Sequence, residues 1–225
     1  MAAFRRAADM GARFIETDLH LTRDVRVVAI HDSTLDRTTS GKGLVHLQSL
    51  QEIRALDAGA WFGSRSAESF AGERVPTLDE ILRFAKEQDV IFYLEIKSDS
   101  AWGVEHAVVA ALRDTGEAAR VVILSFDPAT LESVNRLDKT LMTGYLCEHP
   151  AGDLVERTVR AGARQIVPRG DLVTPSLVEK AHHAGLQVVA WTINEPEQMR
   201  RLIAAGTDGI MTDYPDVLAS VMKEE

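Results

Sequence analysis

The sequence predicts an α/β chain of the parallel TIM (β/α)-barrel type. Three observations support this. First, helices end at glycine and lead straight into apolar runs in "DMGARFIETD", "RAGARQIVPRG", "HAGLQVVAWTIN" and "AAGTDGIMTDYP", with "DTGEAARVVILSF" as a looser copy. Glycine suits the left-handed residue that closes a helix, and the β-branched runs after it read as buried strands. Second, the units are evenly spaced: Gly162 to Gly185 is 23 residues and Gly185 to Gly206 is 21. Third, strand and helix alternate to the end, which means a parallel sheet with right-handed crossovers. No G-x-G-x-x-G or P-loop pattern follows a strand, so an open doubly wound sheet ranks second.

The elements can be justified in order. "MAAFRRAADMGARF" has arginines but no apolar leader core, and reads as the middle of an amphipathic helix rather than a signal peptide. Strands are expected near 13–18, 90–97, 120–126, 142–147, 164–169, 186–192 and 208–213. That makes seven strands, where a closed barrel has eight. Between the first two lies an insertion, about 32–76, that breaks the rhythm. It contains "HDSTLDRTTSGKGLV", the short helical pattern "LQSLQEIRAL" and "DAGAWFG". Connections of that length are uncommon and often functional. Helix starts are legible as well. Thr77 to Glu80 has the capping-box pattern, and Asp127–Pro128 and Thr174–Pro175 are N-cap pairs. "NEPEQMRRLI" places acidic residues in a first turn. The whole, residues 1–225, reads as a single domain.

Composition narrows the function classes. The net charge is −9 and 45% of residues are hydrophobic. The charge argues against a nucleic-acid surface, while local cations still permit an anionic substrate. No apolar run reaches the roughly 20 residues that span a bilayer, so stable membrane insertion is not expected. A lone cysteine, Cys147, allows no intramolecular disulfide and reads as a buried thiol, which fits a cytoplasmic setting. His182 and His183 read as helix-end residues.

Polar groups mark the strand ends. Glu16 and Asp18 sit one residue apart and project to the same side of a strand, and Glu95 and Lys97 repeat that spacing on the next one. A solvated strand end is the bland account of one such pair. Three carboxylates converging on a barrel mouth repel one another unless a cation joins them, and all-oxygen ligation selects Mg²⁺ or Ca²⁺. His31 closes the next apolar run, either as a structural histidine or as a catalytic acid. Lys97 is either a surface lysine or a phosphate contact, and Trp191 either barrel packing or a pocket wall.

Taken together, "FIETDLHLTRD", "VVAIHDSTLDRTTSGKG", "VPTLDEIL", "LEIK", "LSFDP", "GLQVVAWTIN" and "GTDGIMTDYPD" resemble the glycerophosphodiester phosphodiesterase family, from the first residues to about Asp216. The resemblance implies a (β/α)8 barrel that hydrolyses glycerophosphodiesters to glycerol 3-phosphate and an alcohol. It implies a divalent cation, Mg²⁺ or Ca²⁺, on Glu16, Asp18 and Glu95. It makes His31 one of two catalytic histidines, sets Lys97 beside the phosphate, and puts Trp191 on the glycerol side. The alternative is a catalytically silent relative that keeps the metal and phosphate pocket. A barrel isomerase or aldolase fits less well, having no need of three clustered carboxylates.

Two departures from the family pattern stand out. The family's opening strand, with His-Arg-Gly followed by Pro-Glu-Asn, is not present, in keeping with the count of seven. The expectation is a truncated or misassigned start, any leader lost with it, and a chain that is unstable or needs a partner strand. In the first hairpin, Asp24–Val25 stands where the family has Asp-Gly. Valine resists φ > 0, so a reshaped turn is expected there.

Overall fold

The computed structural model describes residues 1–63, 69–97, 103–149 and 152–224. Contacts divide the chain into two units, residues 1–9 with 13–121 and residues 10–12 with 122–225.

In the first unit, α1 (Ala2–Asp9) inserts Phe4 edge-on against Phe92, with ring centroids 5.2 Å apart. Its start is tied to Glu73, which accepts from the Ala2 amide at 3.0 Å and pairs with Arg5 at 3.1 Å. Strand β1 (Phe14–Leu21) turns back into β2 (Val27–Ala29), antiparallel, with His20 opposite Val28. The tight turn between them, and not a reshaped one, is retained: Val25 carries φ 59°. Thr22 holds it there. The Thr22 carbonyl accepts from the Val25 amide at 3.0 Å, and its hydroxyl accepts from the Arg26 amide at 2.9 Å while donating to Asp24 at 2.7 Å. These bonds outweigh the valine's preference, at a strain cost of about 1–2 kcal/mol.

The insertion is not structureless. It carries a 3₁₀ turn at Val45–Leu47, α2 (Leu50–Arg54) and α3 (Ala60–Gly63). Leu35, Val45, Ile53 and Val75 pack with Val28 and Ile30 of the hairpin in a core of their own. Residues 64–68 of the expected insertion lie outside the described residues.

Helices α2 and α4 (Leu78–Gln88) both begin with full capping boxes, Ser49 with Glu52 and Thr77 with Glu80. Each cap glutamate also holds an arginine. Glu52 accepts from Arg23 at 3.0 Å, and Glu80 accepts from Arg54 at 2.8 Å. Strand β3 (Ile91–Ile96) follows and runs parallel to β1, from Phe14 opposite Ile91 to Leu19 opposite Ile96. Helix α5 (Val104–Thr115) completes the unit and ends at Gly116, φ 72°.

In the second unit, β4 (Val121–Ser125), β5 (Met142–Cys147), β6 (Gln165–Pro168), β7 (Gln187–Ala190) and β8 (Gly209–Ile210) are parallel. They alternate with α6 (Pro128–Leu137), α7 (Leu154–Arg160), α8 (Pro175–His183), α9 (Pro196–Ala204) and α10 (Pro215–Lys223). Asp127 and Thr174 cap α6 and α8, with proline in the first turn as expected. The core is formed by Leu131, Ile166, Val188, Met199 and Leu202 with their neighbours, all fully buried. Burying a side chain of that kind contributes about 1.5–3 kcal/mol. Strand β8 is shorter than expected because Asn194 takes over the next stretch: its Oδ1 accepts from the Asp213 amide at 3.0 Å and from the Thr212 hydroxyl at 3.2 Å.

The described residues therefore hold the seven strands counted from the sequence, β1 and β3 parallel in the first unit and β4–β8 parallel in the second. The eighth, β2, is the hairpin return.

Candidate functional site

Register makes the site in the first unit. The parallel pairing of β1 with β3 sets Asp18 directly opposite Glu95, and Glu16 shares the Asp18 face by strand alternation. A slip of one residue would turn Glu95 to the other face and disperse the group. Carboxylate oxygens of Glu16, Asp18 and Glu95 all lie within 4.8 Å of one another. Glu95 is buried, Asp18 partly so, and Glu16 still reaches solvent.

Lys97 closes the cluster. Its Nζ is 2.8 Å from Asp18 Oδ1 and 3.2 Å from Glu95 Oε1. The second contact is an ion pair without hydrogen-bond geometry, and it leaves Glu95 Oε1 buried with no hydrogen-bond partner. Desolvation, then repulsion from Asp18 and Glu95, pushes the Glu16 carboxyl up to about 8, with Lys97 opposing; its exposure lets water screen part of that rise. Glu95 is raised as well, first by burial, against the pull of Lys97. Burial lowers the Lys97 ammonium, but the close approach of the Asp18 and Glu95 carboxylates outweighs that and raises it.

The donor set fits a hard divalent cation. It offers only oxygens, gathers three carboxyl groups around one ammonium, and includes a buried carboxylate oxygen in need of a partner.

His31 stands at the edge of this group, just beyond β2. Its Nε2 is 3.5 Å from Lys97 Nζ, and its Nδ1 is 2.7 Å from Asp32 Oδ1. Asp32 is gripped by Arg37 through two bonds of 2.7 Å. The Arg37 hydrogen bonds hold the Asp32 carboxyl well below the usual carboxylate range, against desolvation and with help from His31. The main chain at His31 is pinned too: Ile30 N donates to Asp18 O at 3.0 Å, and buried His20 Nε2 lies 3.3 Å from the His31 carbonyl.

Of the residues expected at the site from the sequence, the structure brings Glu16, Asp18, Glu95, His31 and Lys97 together. Sequence reasoning missed Asp32, Arg37 and His20. The signal for Asp32 was its place directly after the histidine; nothing in the pattern singled out Arg37.

The second unit holds the other strand-end residues. Trp191 Nε1 donates to the Val167 carbonyl at 2.9 Å, and its ring meets Phe126 edge-on at 5.4 Å. Arg169 is paired with Asp171 at 2.7 Å, Asn194 donates to Asp213 at 2.8 Å, and Ser125 is fully buried. Cys147 is buried, which pushes its thiol up to about 12 and leaves it unreactive at neutral pH. Among the described residues no helix is long and apolar enough to cross a membrane.

Residues 1–217 match the model of the "Glycerophosphoryl diester phosphodiesterase family". A glycerophosphodiester phosphodiesterase of Caldanaerobacter subterraneus subsp. tengcongensis is 38% identical over 226 residues, covering 100% of this chain and 91% of its own length. A Silicibacter pomeroyi DSS-3 structure assigned to the same class of enzyme is 32% identical with a TM-score of 0.89, covering 98% of this chain and 86% of that one. An Oleispira antarctica phosphodiesterase, solved with its product sn-glycerol-3-phosphate, is 26% identical with a TM-score of 0.86, covering 99% of this chain and 90% of that one. The α/β fold of mostly parallel strands expected from the sequence is thus shared with solved diesterases.

Proposed function

Because the chain belongs to the glycerophosphoryl diester phosphodiesterase family, a family of phosphoric diester hydrolases, we propose that it hydrolyses glycerophosphodiesters to glycerol 3-phosphate and an alcohol. The observation that carries this reading is the meeting of Glu16, Asp18 and Glu95 with Lys97 and His31 in one cluster. The Oleispira product complex supports the substrate class. The family match runs unbroken from residue 1 to residue 217, which supports reading the chain as a single catalytic domain.

Glu16, Asp18 and Glu95 would hold the divalent ion, Mg²⁺ or Ca²⁺, which when bound supplies Lewis acidity and a template for the phosphate. Lys97 is a compact cation and would take a non-bridging phosphate oxygen as negative charge builds there. An ionised Asp32 can only accept, so it requires the proton on His31 Nδ1 and turns Nε2 toward the cluster. From there protonated His31 would give a proton to the departing alkoxide, a step that typically contributes about 10²–10⁴-fold.

The test is release of glycerol 3-phosphate from glycerophosphocholine and glycerophosphoethanolamine with added Mg²⁺ or Ca²⁺. Product above an EDTA blank is expected, and its loss in Glu95→Gln. No product above the blank with either substrate and either ion overturns the reading.

A further inference from the structure

We infer that Arg37 is a positioning residue for His31, acting through the Asp32 carboxylate. The inference rests on the reading of His31 as proton donor. Arg37 Nε donates to Asp32 Oδ2 and Nη2 to Oδ1, both at 2.7 Å, so the guanidinium fork engages both carboxylate oxygens. His31 Nδ1 meets Oδ1 at the same distance. A carboxylate held in a fork cannot rotate freely about its Cβ–Cγ bond, so the direction it offers to the imidazole is set by the guanidinium plane. That direction fixes which way Nε2 points, and here it points to Lys97.

The position of Arg37 is itself built. It lies in a turn anchored by Leu35, which is 2% exposed. The Leu35 amide donates to the Gly43 carbonyl at 2.9 Å, its carbonyl accepts from the Thr39 amide at 3.1 Å, and Asp36 accepts from the Gly43 amide at 2.8 Å. The insertion therefore does more than pack on the hairpin, since it returns a cation to the residue next to the histidine. A purely structural ion pair is the competing account. Arg37 and His31 are both more than half exposed, and pairs that open to water contribute little to folding. Aim is what such a pair can still supply.

The experiment separates aim from stability by changing the leaving group. Glycerophosphocholine expels choline as an alkoxide, which needs a proton. A p-nitrophenyl ester of glycerol 3-phosphate expels p-nitrophenolate, which does not. With the cation present, Arg37→Ala is expected to lower kcat on glycerophosphocholine by about 10–100-fold and on the nitrophenyl ester by less than about threefold. KM should stay near wild type, and Arg37→Lys should recover part of the loss because it restores charge without the fork. His31→Ala should show the same selectivity more strongly. A second readout needs no turnover. ¹⁵N NMR of the His31 ring should show the proton on Nδ1 in the wild type and a mixture of tautomers in Arg37→Ala. Equal slowing of both substrates, or an unchanged ring spectrum, overturns the inference while His31→Ala remains selective. Loss of selectivity in His31→Ala itself would bring down the proton-donor reading, and the inference with it.

Discussion

Adding a divalent cation should raise the unfolding midpoint of the chain, because the carboxylate geometry gathers charge for the ion to neutralise. The three ligand oxygens lie within 4.8 Å of one another. Two unit charges at that separation repel by about 3.5 kcal/mol at an effective dielectric of about 20. When all three are ionised Lys97 balances one charge, and a divalent ion that displaces the proton would balance the other two. At a free ion concentration of about 100 times Kd, binding to the folded chain alone adds about 2.7 kcal/mol. For a chain of this length each kcal/mol moves the midpoint by about 2–4 °C, so the expected shift is about 5–11 °C. The assay is thermal unfolding followed by tryptophan fluorescence, in MgCl₂ or CaCl₂ against EDTA. Asp18→Asn and Glu95→Gln should lose most of the shift. A wild-type midpoint indifferent to saturating ion, or an equal shift in both variants, would refute the reasoning.

Val25→Gly should stabilise the chain. The left-handed conformation costs an L-residue about 1–2 kcal/mol, and the extra freedom of glycine in the unfolded chain returns about 0.5–1. Val25 is 63% exposed, so little burial is lost, and a rise of about 1–4 °C in the midpoint is expected. A fall would show that the side chain does more in the turn than the backbone argument allows. Lys97→Met should tighten cation binding about tenfold in titration calorimetry, because an ammonium and a cation compete for the same oxygens, while hydrolysis falls. Unchanged affinity would separate the lysine from the ion site. The pH dependence has a definite sign. Glu16 rises from an ordinary 4.5 to about 8 in the folded chain, so the folded state binds the extra proton. In EDTA that contribution to stability is present below about pH 4.5 and is lost as the pH rises through about 8. The ion competes with that proton, so its affinity should increase over the same window, with proton release visible as buffer-dependent heats. Affinity flat across the window would place Glu16 outside the ligand set.

Much of this was legible because it is local. Thr77, Asp127 and Thr174 cap the helices they were expected to cap, since a cap needs only its own first turn. Glycines 162, 185 and 206 take positive φ where helices meet strands. The carboxylate group was legible for a related reason: alternation in one strand and its repeat in the next depend only on spacing. The His31–Asp32–Arg37 chain was not, because it depends on how a loop folds back over five residues, and loop paths follow from tertiary bonds such as Leu35 to Gly43. Val25 shows the same limit from the other side. Residue preference argued for a different turn, and a threonine bonded to three partners decided the matter.

Glu52 and Glu80 carry a consequence for anyone mutating this chain. One oxygen of Glu52 receives the Ser49 amide at 2.7 Å and Arg23 at 3.0 Å, and one oxygen of Glu80 receives the Thr77 amide at 2.9 Å and Arg54 at 2.8 Å. Substituting either glutamate removes a cap and an ion pair at once, and substituting an arginine frees the acid to cap more tightly. Single-site scans will therefore misjudge pairs in this region. The joint effect of Arg54 and Glu80 changes should be smaller than the two measured apart would suggest.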